Sequence, residues 1–479
     1  MKRYPLIHKI HVLLAILVGL LITGCNSEEQ AGQREITFVT QLVAEIDGAL
    51  LEVPINASGA WTAELTDGAE DWALLSPTQG EGSMTLLVGI DPIERDEPGR
   101  NGTLRLTCGK QVTTIPITQL LQYQGEPVSN SFDYSKITAE KGLGCGYDPY
   151  ATSTLNMKKY QIFNLNTMMK LAQECGEEYA YLYSESPQAG IVSEYRETHG
   201  SEDKDDTLAV HVKLDVGFSI FTLSGEGHYV SNEDRFDSTS CMRIGAQVSS
   251  LLAETNCLDA MLMYDEAVQK EADGETLMRT DELSKLLFTR SFLTTRDEVI
   301  DAFDNHEEKI PTAVNNLITK FGLGVTDRNV LGGSLALKLQ LDSLRTQEYS
   351  SLEKAQLQVD MKAYLLNINA GAGLAMKDSL EEHLRHSKFE YTIMGGSAAT
   401  RSEVVRQLGR GDFSGVGRAV QDWMSSIKVD NDKKVNNTEM IATQLYPIWN
   451  LFPDRMKEGV KEMVIRLTDD KEGILKNIE

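Results

Sequence analysis

One pair of histidines in this chain has a spacing that could bind a metal ion. His383 and His386 lie three residues apart beside Glu381 and Glu382, so both imidazoles would project from one face of a helix. The charged residues around them favour a solvent-exposed helix face instead, and the HExxH pattern of zinc proteases is absent. We therefore expect no metal site and no cofactor.

Other catalytic signatures are also missing from the sequence. It contains no GxSxG nucleophile motif, no phosphate-binding P-loop and no cluster of Cys and His residues. Carboxylates are numerous, but sequence positions do not show which of them would face each other across a glycosidase cleft. The sequence favours a protein that is not an enzyme, and a glycoside hydrolase remains the alternative.

Charge and cysteine content narrow the classes of partner. The chain has 71 acidic against 46 basic residues, a formal net charge of −25, which argues against nucleic acid and against attraction to anionic lipid as partners.

The cysteines after Cys25 are odd in number and widely spaced, without a CxxC pair, so neither a disulfide scaffold nor a structural zinc site is expected. One or two bridges remain possible among Cys108, Cys145, Cys175, Cys241 and Cys257.

The N-terminus is typical of an export signal. After basic residues at positions 2, 3 and 9, an apolar run of about 11 residues extends from Val12 to Ile22, which is shorter than the ~20 residues that span a bilayer. Leu-Ile-Thr-Gly-Cys25 resembles a bacterial lipobox. The resemblance implies that residues 1–24 are removed, that Cys25 is lipidated, and that residues 25–34 form a tether.

The residues after this cysteine suggest a location. Asn26 differs from the Asp of inner-membrane retention signals, and Ser27-Glu28-Glu29 resembles the acidic tags that send some lipoproteins to the cell surface. Acyl chains contribute ~0.8 kcal/mol per buried methylene, enough for stable anchoring when several are attached. We expect a lipid-anchored outer-membrane protein, exposed at the cell surface or released from it.

Residues 35–120 are expected to form a small β-sandwich, followed by a linker at 121–133. About seven short apolar runs separated by Gly, Asn, Pro and Asp turns fit an immunoglobulin-like fold. The clearest runs are Leu50–Ile55, Met84–Ile90, Thr103–Thr107 and Val112–Ile117.

The same segment resembles the BACON family through a set of spaced residues: Trp61, Trp72, Pro77, Gly80, Gly82, Arg100 and Gln119. The Asn that usually shortly precedes the Arg is absent. The resemblance implies carbohydrate or mucin binding, with Trp61 and Trp72 as possible glycan contacts. The alternative is that both indoles are packing residues and that the domain is a spacer.

The stretch Leu317–Asp342 has the most distinctive spacing in the chain. A glycine pair, Gly332–Gly333, precedes a segment in which every second residue is leucine, from Leu335 to Leu341. This alternation predicts a strand with one buried face. A glycine pair before it indicates a bend in the backbone or a close approach of another segment.

This stretch resembles the signature of the membrane attack complex/perforin (MACPF) family: an aromatic residue, Gly, Ser or Thr, His, an aromatic or apolar residue, six residues, then Gly-Gly. The matching residues are Phe321, Gly322, Val325, Gly332 and Gly333. Leu323 and Gly324 depart from the pattern, because the hydroxyl and the histidine are missing. The resemblance implies an α+β fold over residues 134–479, with a bent, twisted antiparallel sheet flanked by helical clusters.

Three further features extend the resemblance. The segment containing Gly144, Gly146, Tyr147 and Asp148 is similar to the Gly-x-Gly-Tyr-Asp opening of MACPF domains, and Gly395–Gly396 is similar to their second glycine pair. Apolar residues alternate without a break over Leu208–Ile220, which predicts a strand of roughly 40 Å, and a further strand is predicted over Leu357–Ala363. The C-terminal part, including a predicted helix Met456–Leu467, resembles the end of the domain.

The family implies a membrane function for two amphipathic segments, Gly245–Asp273 and Leu374–Lys388, which we predict to be helical. In MACPF proteins, helical clusters at these two places become transmembrane hairpins, and a ring of many subunits is needed to close the barrel. We expect a homo-oligomer on a target membrane or envelope receptor that forms pores, more as an antibacterial toxin than against a host. The alternative is a non-lytic adhesion or glycan-binding protein that retains the fold.

Overall fold

The computed structural model describes residues 36–94, 97–121, 131–133, 143–149, 158–175, 181–197, 221–222, 228–231, 240–341, 350–351, 355, 388–410, 413–429 and 434–468. Cys25, the tether and both histidines of the candidate metal pair lie outside these residues. So do the predicted strands Leu208–Ile220 and Leu357–Ala363, and all but the last residue of Leu374–Lys388. Within the described residues, no helix is both long enough and apolar enough to cross a bilayer.

The N-terminal part is a two-sheet sandwich. Its strands are β1 (Leu42–Ala44), β2 (Ala49–Ile55), β3 (Ala60–Thr66), β4 (Ala73–Ser76), β5 (Gln79–Glu81), β6 (Met84–Ile90), β7 (Arg100–Cys108) and β8 (Gln111–Gln119). One sheet has the order β1-β8-β7-β3-β5 and the other β2-β6-β4. Alternate residues of both sheets form one buried core, so the four apolar runs identified in the sequence are strands.

The remaining strands form a large sheet and a small one. They are β9 (Ser131–Asp133), β10 (Cys145–Tyr147), β11 (Lys158–Gln161), β12 (Tyr181–Glu197), β13 (Phe221–Thr222), β14 (His228–Ser231), β15 (Ser240–Thr255), β16 (Gly324–Leu341), β17 (Lys388–Met394), β18 (Lys428–Val429), β19 (Lys434–Asn436) and β20 (Glu439–Pro447). In the small sheet, β9 pairs with β19, so the end of the predicted linker is a strand.

The helices lie between these strands. They are α1 (Leu165–Cys175), α2 (Cys257–Ala272), α3 (Arg279–Ser284), α4 (Arg290–Asn305), α5 (Ile310–Phe321), α6 (Ala398–Arg410), α7 (Phe413–Ser425) and α8 (Asp454–Thr468), with short 3₁₀ turns at 69–71, 307–309 and 448–451. The predicted C-terminal helix is thus α8. The combination of a large antiparallel sheet with separate helical layers confirms the α+β class.

Three long strands and the shorter β17 form the centre of the large sheet, in the order β12-β15-β16-β17 with all neighbours antiparallel. The register pairs Glu197 with Ser240, Ser240 with Leu341, and Gln340 with Lys388. Two connections, residues 198–239 and 342–387, therefore start and end at the same end of these four strands. Within the first connection the chain returns to the sheet, where β13 pairs with β20 and β14 pairs with β17. At the opposite end of these strands, helices α2 to α5 connect the end of β15 to the start of β16.

The predicted helix over Gly245–Asp273 is wrong in its first half. Residues to Thr255 belong to β15, and only Cys257–Ala272 is helical. The register of β15 shifts between Ser249 and Leu251, and this bulge places apolar residues at spacings of three and four that imitate a helix. The first predicted insertion segment is consequently a central strand followed by a covering helix.

Candidate functional site

The glycine pair of the signature lies within a strand and not before one. β16 begins at Gly324, eight residues ahead of Gly332, and continues through both glycines to Leu341. On one side β16 pairs with β20 as far as Gly332, and from Ser334 onward it pairs with β17 instead. The glycine pair is therefore the point at which the sheet divides into two arms.

Bulges on both sides of β16 accompany this division. In β15, Ser249 pairs with Gly332 and Leu251 with Leu331, which leaves Ser250 as an extra residue. In β20, the register likewise shifts opposite Leu331. Since each bulge bends and twists its strand, two of them at one level produce a local bend. Gly332 allows this bend, because a methyl group there would overlap the carbonyl group of Val248.

The second glycine pair meets the first. Gly395 and Gly396 follow β17 with φ values of +67° and +78°, in the left-handed region that favours glycine. A methyl group on Gly395 would lie 2.8 Å from the Cα atom of Gly333. The four glycines thus form one cluster, which we call the glycine junction.

A tryptophan from α7 closes the glycine junction. The Trp423 ring is fully buried, and its Nε1 donates a hydrogen bond of 3.0 Å to the carbonyl oxygen of Gly395. Arg401 also donates to the carbonyl oxygen of Gly396, at 2.7 Å. A methyl group on Gly333 would lie 2.9 Å from Cζ2 of Trp423 and would overlap Ile427. The helical layer therefore packs directly into the bend.

The domain-opening motif packs against the first half of the signature. Gly146 pairs with Val325, and the Leu323 amide donates to the carbonyl oxygen of Tyr147 at 2.8 Å. Gly322 has φ +71°, and a methyl group on Gly146 would overlap the backbone of Phe321. The glycines of both motifs are required by this close approach of two backbones.

The remaining motif residues have packing and charge contacts. Tyr147 is buried against Leu445, and desolvation raises its pKa. Asp148 lies 3.7 Å from the Lys159 ammonium group. Gly144 has φ +64° and donates its amide to the carbonyl oxygen of Thr326 at 3.1 Å. Gly144 and Gly146 therefore hold this segment against β16, while Tyr147 packs on β20 and Asp148 pairs with β11.

The two residues that depart from the signature are structural. Leu323 is buried in the main core. A methyl group on Gly324 would lie 2.9 Å from the carbonyl oxygen of Tyr446 and 3.1 Å from Cβ of Leu445. Because β20 approaches so closely, a histidine side chain at position 324 would have no room in this structure.

The two tryptophans proposed as glycan contacts are core residues of the sandwich. Trp61 is 2% and Trp72 is 8% exposed. Trp61 packs beneath Gly80 and donates its Nε1–H to the carbonyl oxygen of Gly82 at 3.1 Å, while the Arg100 guanidinium group lies over Trp72. Sugar stacking needs an exposed ring face, so the structure favours the packing interpretation.

The four cysteines whose side chains the structure describes form no disulfide with one another. They are Cys108, Cys145, Cys175 and Cys257. Burial raises the pKa of the Cys145 and Cys257 thiols, which disfavours the reactive thiolate. No group of three His, Cys, Asp or Glu side chains in the part of the chain that the structure describes is placed to hold a metal ion.

The sequence identifies the glycines of this site but not the residues that pack around them. Nothing in the sequence around Trp423 or Ile427 indicates that these residues are neighbours of the glycine junction. Asn437, with φ +58°, accepts the Gly396 amide at its carbonyl oxygen at 2.7 Å. Two adjacent Asn residues, Asn436 and Asn437, favour a turn, and this pair is a sequence signal that could have identified it.

Comparisons with known proteins gave structural matches only. No family model and no curated protein matches the chain. GNIP1Aa from Chromobacterium piscinae is 12% identical, with a TM-score of 0.38, over 70% of this chain and 57% of that one. A cell invasion protein with a MAC/Perforin domain from Bacteroides thetaiotaomicron is 15% identical, with a TM-score of 0.34, over 71% of this chain and 62% of that one. Astrotactin-2, a perforin-like membrane protein, is 10% identical, with a TM-score of 0.30, over 68% of this chain and 98% of that one.

Proposed function

We propose that this chain is a lipid-anchored MACPF-type protein that binds a target envelope, oligomerises and forms pores. One observation carries the proposal: the register shifts of β15 and β20 lie at the glycine junction, and the connections that follow β12 and β16 both leave the four-stranded centre of the sheet at one end. The connections contain 42 and 46 residues, at 198–239 and 342–387. Each is long enough to supply two strands of ~10 residues, the length that crosses a bilayer.

The sequences of these connections support insertion as hairpins. The alternating segment Leu208–Ile220 falls in the first connection, and Leu357–Ala363 falls in the second. In each, one face is apolar and the other contains polar residues such as His211 and Lys213, a pattern suited to lipid on one side and water on the other. We therefore propose the two connections as the insertion segments, in place of Gly245–Asp273.

Oligomerisation follows from the physics of such hairpins. Four strands from one chain cannot close a barrel, and an open edge in lipid leaves backbone groups unpaired at several kcal/mol each. Among the described strands, β12 pairs only with β15, and it is 17 residues long. A second copy of the chain is the partner that the proposal requires.

A matched pair of substitutions tests insertion. Val212→Arg places a charge on the proposed lipid face, where it costs about 2–4 kcal/mol at the bilayer midplane, and should abolish dye leakage from target vesicles. His211→Arg puts the same charge on the proposed water-filled face and should leave leakage near the wild-type level. Equal effects of the two substitutions would contradict the hairpin.

The alternative is a non-lytic adhesion or glycan-binding protein. The observation that favours it is that two residues differ from the family signature. Leu323 is part of the buried core and Gly324 lies close to β20, so both have structural roles. Electron microscopy of the wild-type protein on target membranes separates the two functions. Binding without rings and without leakage at any concentration would support adhesion and refute the pore.

A further inference from the structure

One strand of the sandwich is buried on both of its faces. Leu86 and Val88 of β6 belong to the core of the sandwich, whereas Leu87 belongs to a core that contains residues of α1, α4, α5 and α8. A methyl group on Gly89, on the same face as Leu87, would lie 3.6 Å from Cβ of Leu286. Since successive side chains of a strand point to opposite faces, the sheet β2-β6-β4 is a middle layer between the other sheet of the sandwich and the helices.

The two outer strands of this sheet, β2 and β4, also bind the helices through polar side chains. Ser76 of β4 donates its hydroxyl to the Glu282 carboxylate of α3. Glu52 of β2 pairs with Arg279 of α3, and it lies 3.8 Å from the Lys170 ammonium group of α1. The pairs of Glu52 are partly exposed to solvent, so they contribute little to stability. Their effect is to fix the orientation of the sheet on the helices.

An acidic residue of the sandwich caps α4. Asp91 directly follows β6 and is 4% exposed. Its two carboxylate oxygens accept the backbone amides of Arg290 at 2.9 Å and Ser291 at 3.1 Å, and the Thr289 hydroxyl accepts the Phe292 amide at 3.3 Å. The first amides of a helix have no partner within it, and a negative charge is favourable at this end. The N-terminal cap of α4 is therefore assembled from both parts of the chain.

A second carboxylate connects the sandwich to the large sheet. Glu94 accepts the backbone amide of Gln161 at 2.6 Å, and Gln161 belongs to β11, which pairs with β10 and through it with β16. The Gln161 side chain donates to the carbonyl oxygen of Leu143 at 2.7 Å. The Thr289 hydroxyl donates to the Gln161 carbonyl oxygen at 2.8 Å. One glutamine thus joins the sandwich, the cap of α4 and the segment that precedes β10.

These contacts lie at one end of the large sheet. At this end α2 to α5 connect β15 to β16, whereas the connections 198–239 and 342–387 follow β12 and β16 at the opposite end. The 18 residues of β16 separate the two ends. Helices α6 and α7 pack with Leu335 and Leu337, in the later half of β16, and form a separate core. The sandwich is therefore attached at the end of the sheet that is remote from the two connections.

We propose that the sandwich is a fixed brace, which holds α1, α3 and α4 in place at one end of the sheet and unfolds together with them. Its interface with the helices combines a shared apolar core, a helix cap and backbone hydrogen bonds, and an interface of this kind suppresses the relative motion that is usual between domains. Rearrangement of the chain is thereby restricted to the end at which the two connections leave. The brace is independent of pore formation and applies equally to an adhesion protein.

Hydrogen exchange in the full chain tests whether the two parts unfold together. Ile115 is fully buried in β8, which belongs to the other sheet of the sandwich. Ile115→Val should weaken the protection of the most protected amides of β8 and of α4 by the same factor, about 2- to 13-fold. The matched control is Val112→Thr, at an exposed position of the same strand, which should change protection less than about twofold. Unchanged protection at α4 in Ile115→Val refutes the brace.

Cutting the chain between the two parts gives a second, independent readout. A protease site is inserted between residues 122 and 130 of the full chain, and the cut protein is passed over a sizing column without denaturant, where the two fragments should elute together. Leu87→Glu places a charge in the shared core and should make the sandwich fragment elute separately. Val112→Glu, the same change at an exposed position, should not.

Either of two results from the column overturns the proposal. One is separate elution of the wild-type fragments, and the other is co-elution of the Leu87→Glu fragments. The wild-type measurement remains decisive if Leu87→Glu does not fold.

Discussion

The glycine junction predicts that one added methyl group destabilises the protein. In Gly333→Ala, the new Cβ atom would lie 2.9 Å from Cζ2 of Trp423 and 3.1 Å from the carbonyl oxygen of Met394, and it would overlap Ile427. The backbone at Gly333 is not in the left-handed region, so the cost is steric. The three neighbours lie on α7, on β17 and in the turn after α7, and they cannot all move away at once in a close-packed interior.

The expected cost follows from overpacking of a filled site. Extra methyl groups in well-packed cores typically destabilise a protein by ~1–3 kcal/mol. We expect the cost of Gly333→Ala to lie in the upper half of that range, because one of the crowded neighbours is a backbone carbonyl oxygen. Gly333→Val adds two more methyl groups and should prevent folding of this region. The free energy of unfolding in urea measures both, with an unchanged m value required for a valid comparison.

A matched control and a rescue make this prediction specific. Gly409 in α6 has open space around its Cα atom, so Gly409→Ala should stabilise the protein by about 0.4–1 kcal/mol. Ile427→Val alone costs ~0.5–1.5 kcal/mol, yet it removes the methyl group that Gly333→Ala would overlap. The double variant should therefore be more stable than additivity predicts, by about 1 kcal/mol. Gly333→Ala within 0.5 kcal/mol of wild type, or a strictly additive double variant, would refute the reasoning.

Three other outcomes test separate parts of the structure. Gly324→His, which restores the family residue, should lower the melting temperature because its Cβ would crowd the carbonyl oxygen of Tyr446; an unchanged melting curve would contradict the packing. Trp423→Phe removes the indole hydrogen bond to the Gly395 carbonyl oxygen, which keeps only the 3.3 Å bond from Arg401, and should cost ~0.5–1.5 kcal/mol in a urea titration. Cys25→Ala should release the protein from the outer-membrane fraction and abolish labelling with fatty acid, and unchanged fractionation together with an unlabelled wild type would disprove lipidation.

The sequence predicted strands where alternation is regular and failed where it is interrupted. Leu335–Leu341 alternates cleanly and is part of β16. β12 was not predicted, since Pro187 and Gly190 interrupt its pattern, and its register with β15 shifts between Glu185 and Gln188. Bulges move the side chains of a strand from one face to the other, so a periodicity argument loses the strand at that point.

The sequence identifies the positions of the glycines, but it does not show which segments they contact. Gly332 and Gly395 are 63 positions apart, and only the pairing of β16 with β17 brings them together. Asp91 has an Asp-Pro sequence typical of a turn, and nothing nearby indicates that its carboxylate caps a helix two hundred positions later. Contacts of this kind depend on tertiary structure, and local propensity contains no information about them.

The capping of α4 by Asp91 has a consequence for the order in which the chain folds. Asp91 and Arg290 are separated by 199 residues, and Cys145 and Thr326 by 181. Contacts between such distant residues close large loops, whose entropy cost precedes any stabilisation and slows folding. During synthesis, the sandwich emerges long before the helix that its carboxylate caps. The nascent chain therefore cannot complete the contact between Asp91 and α4 until more than half of the protein has been made.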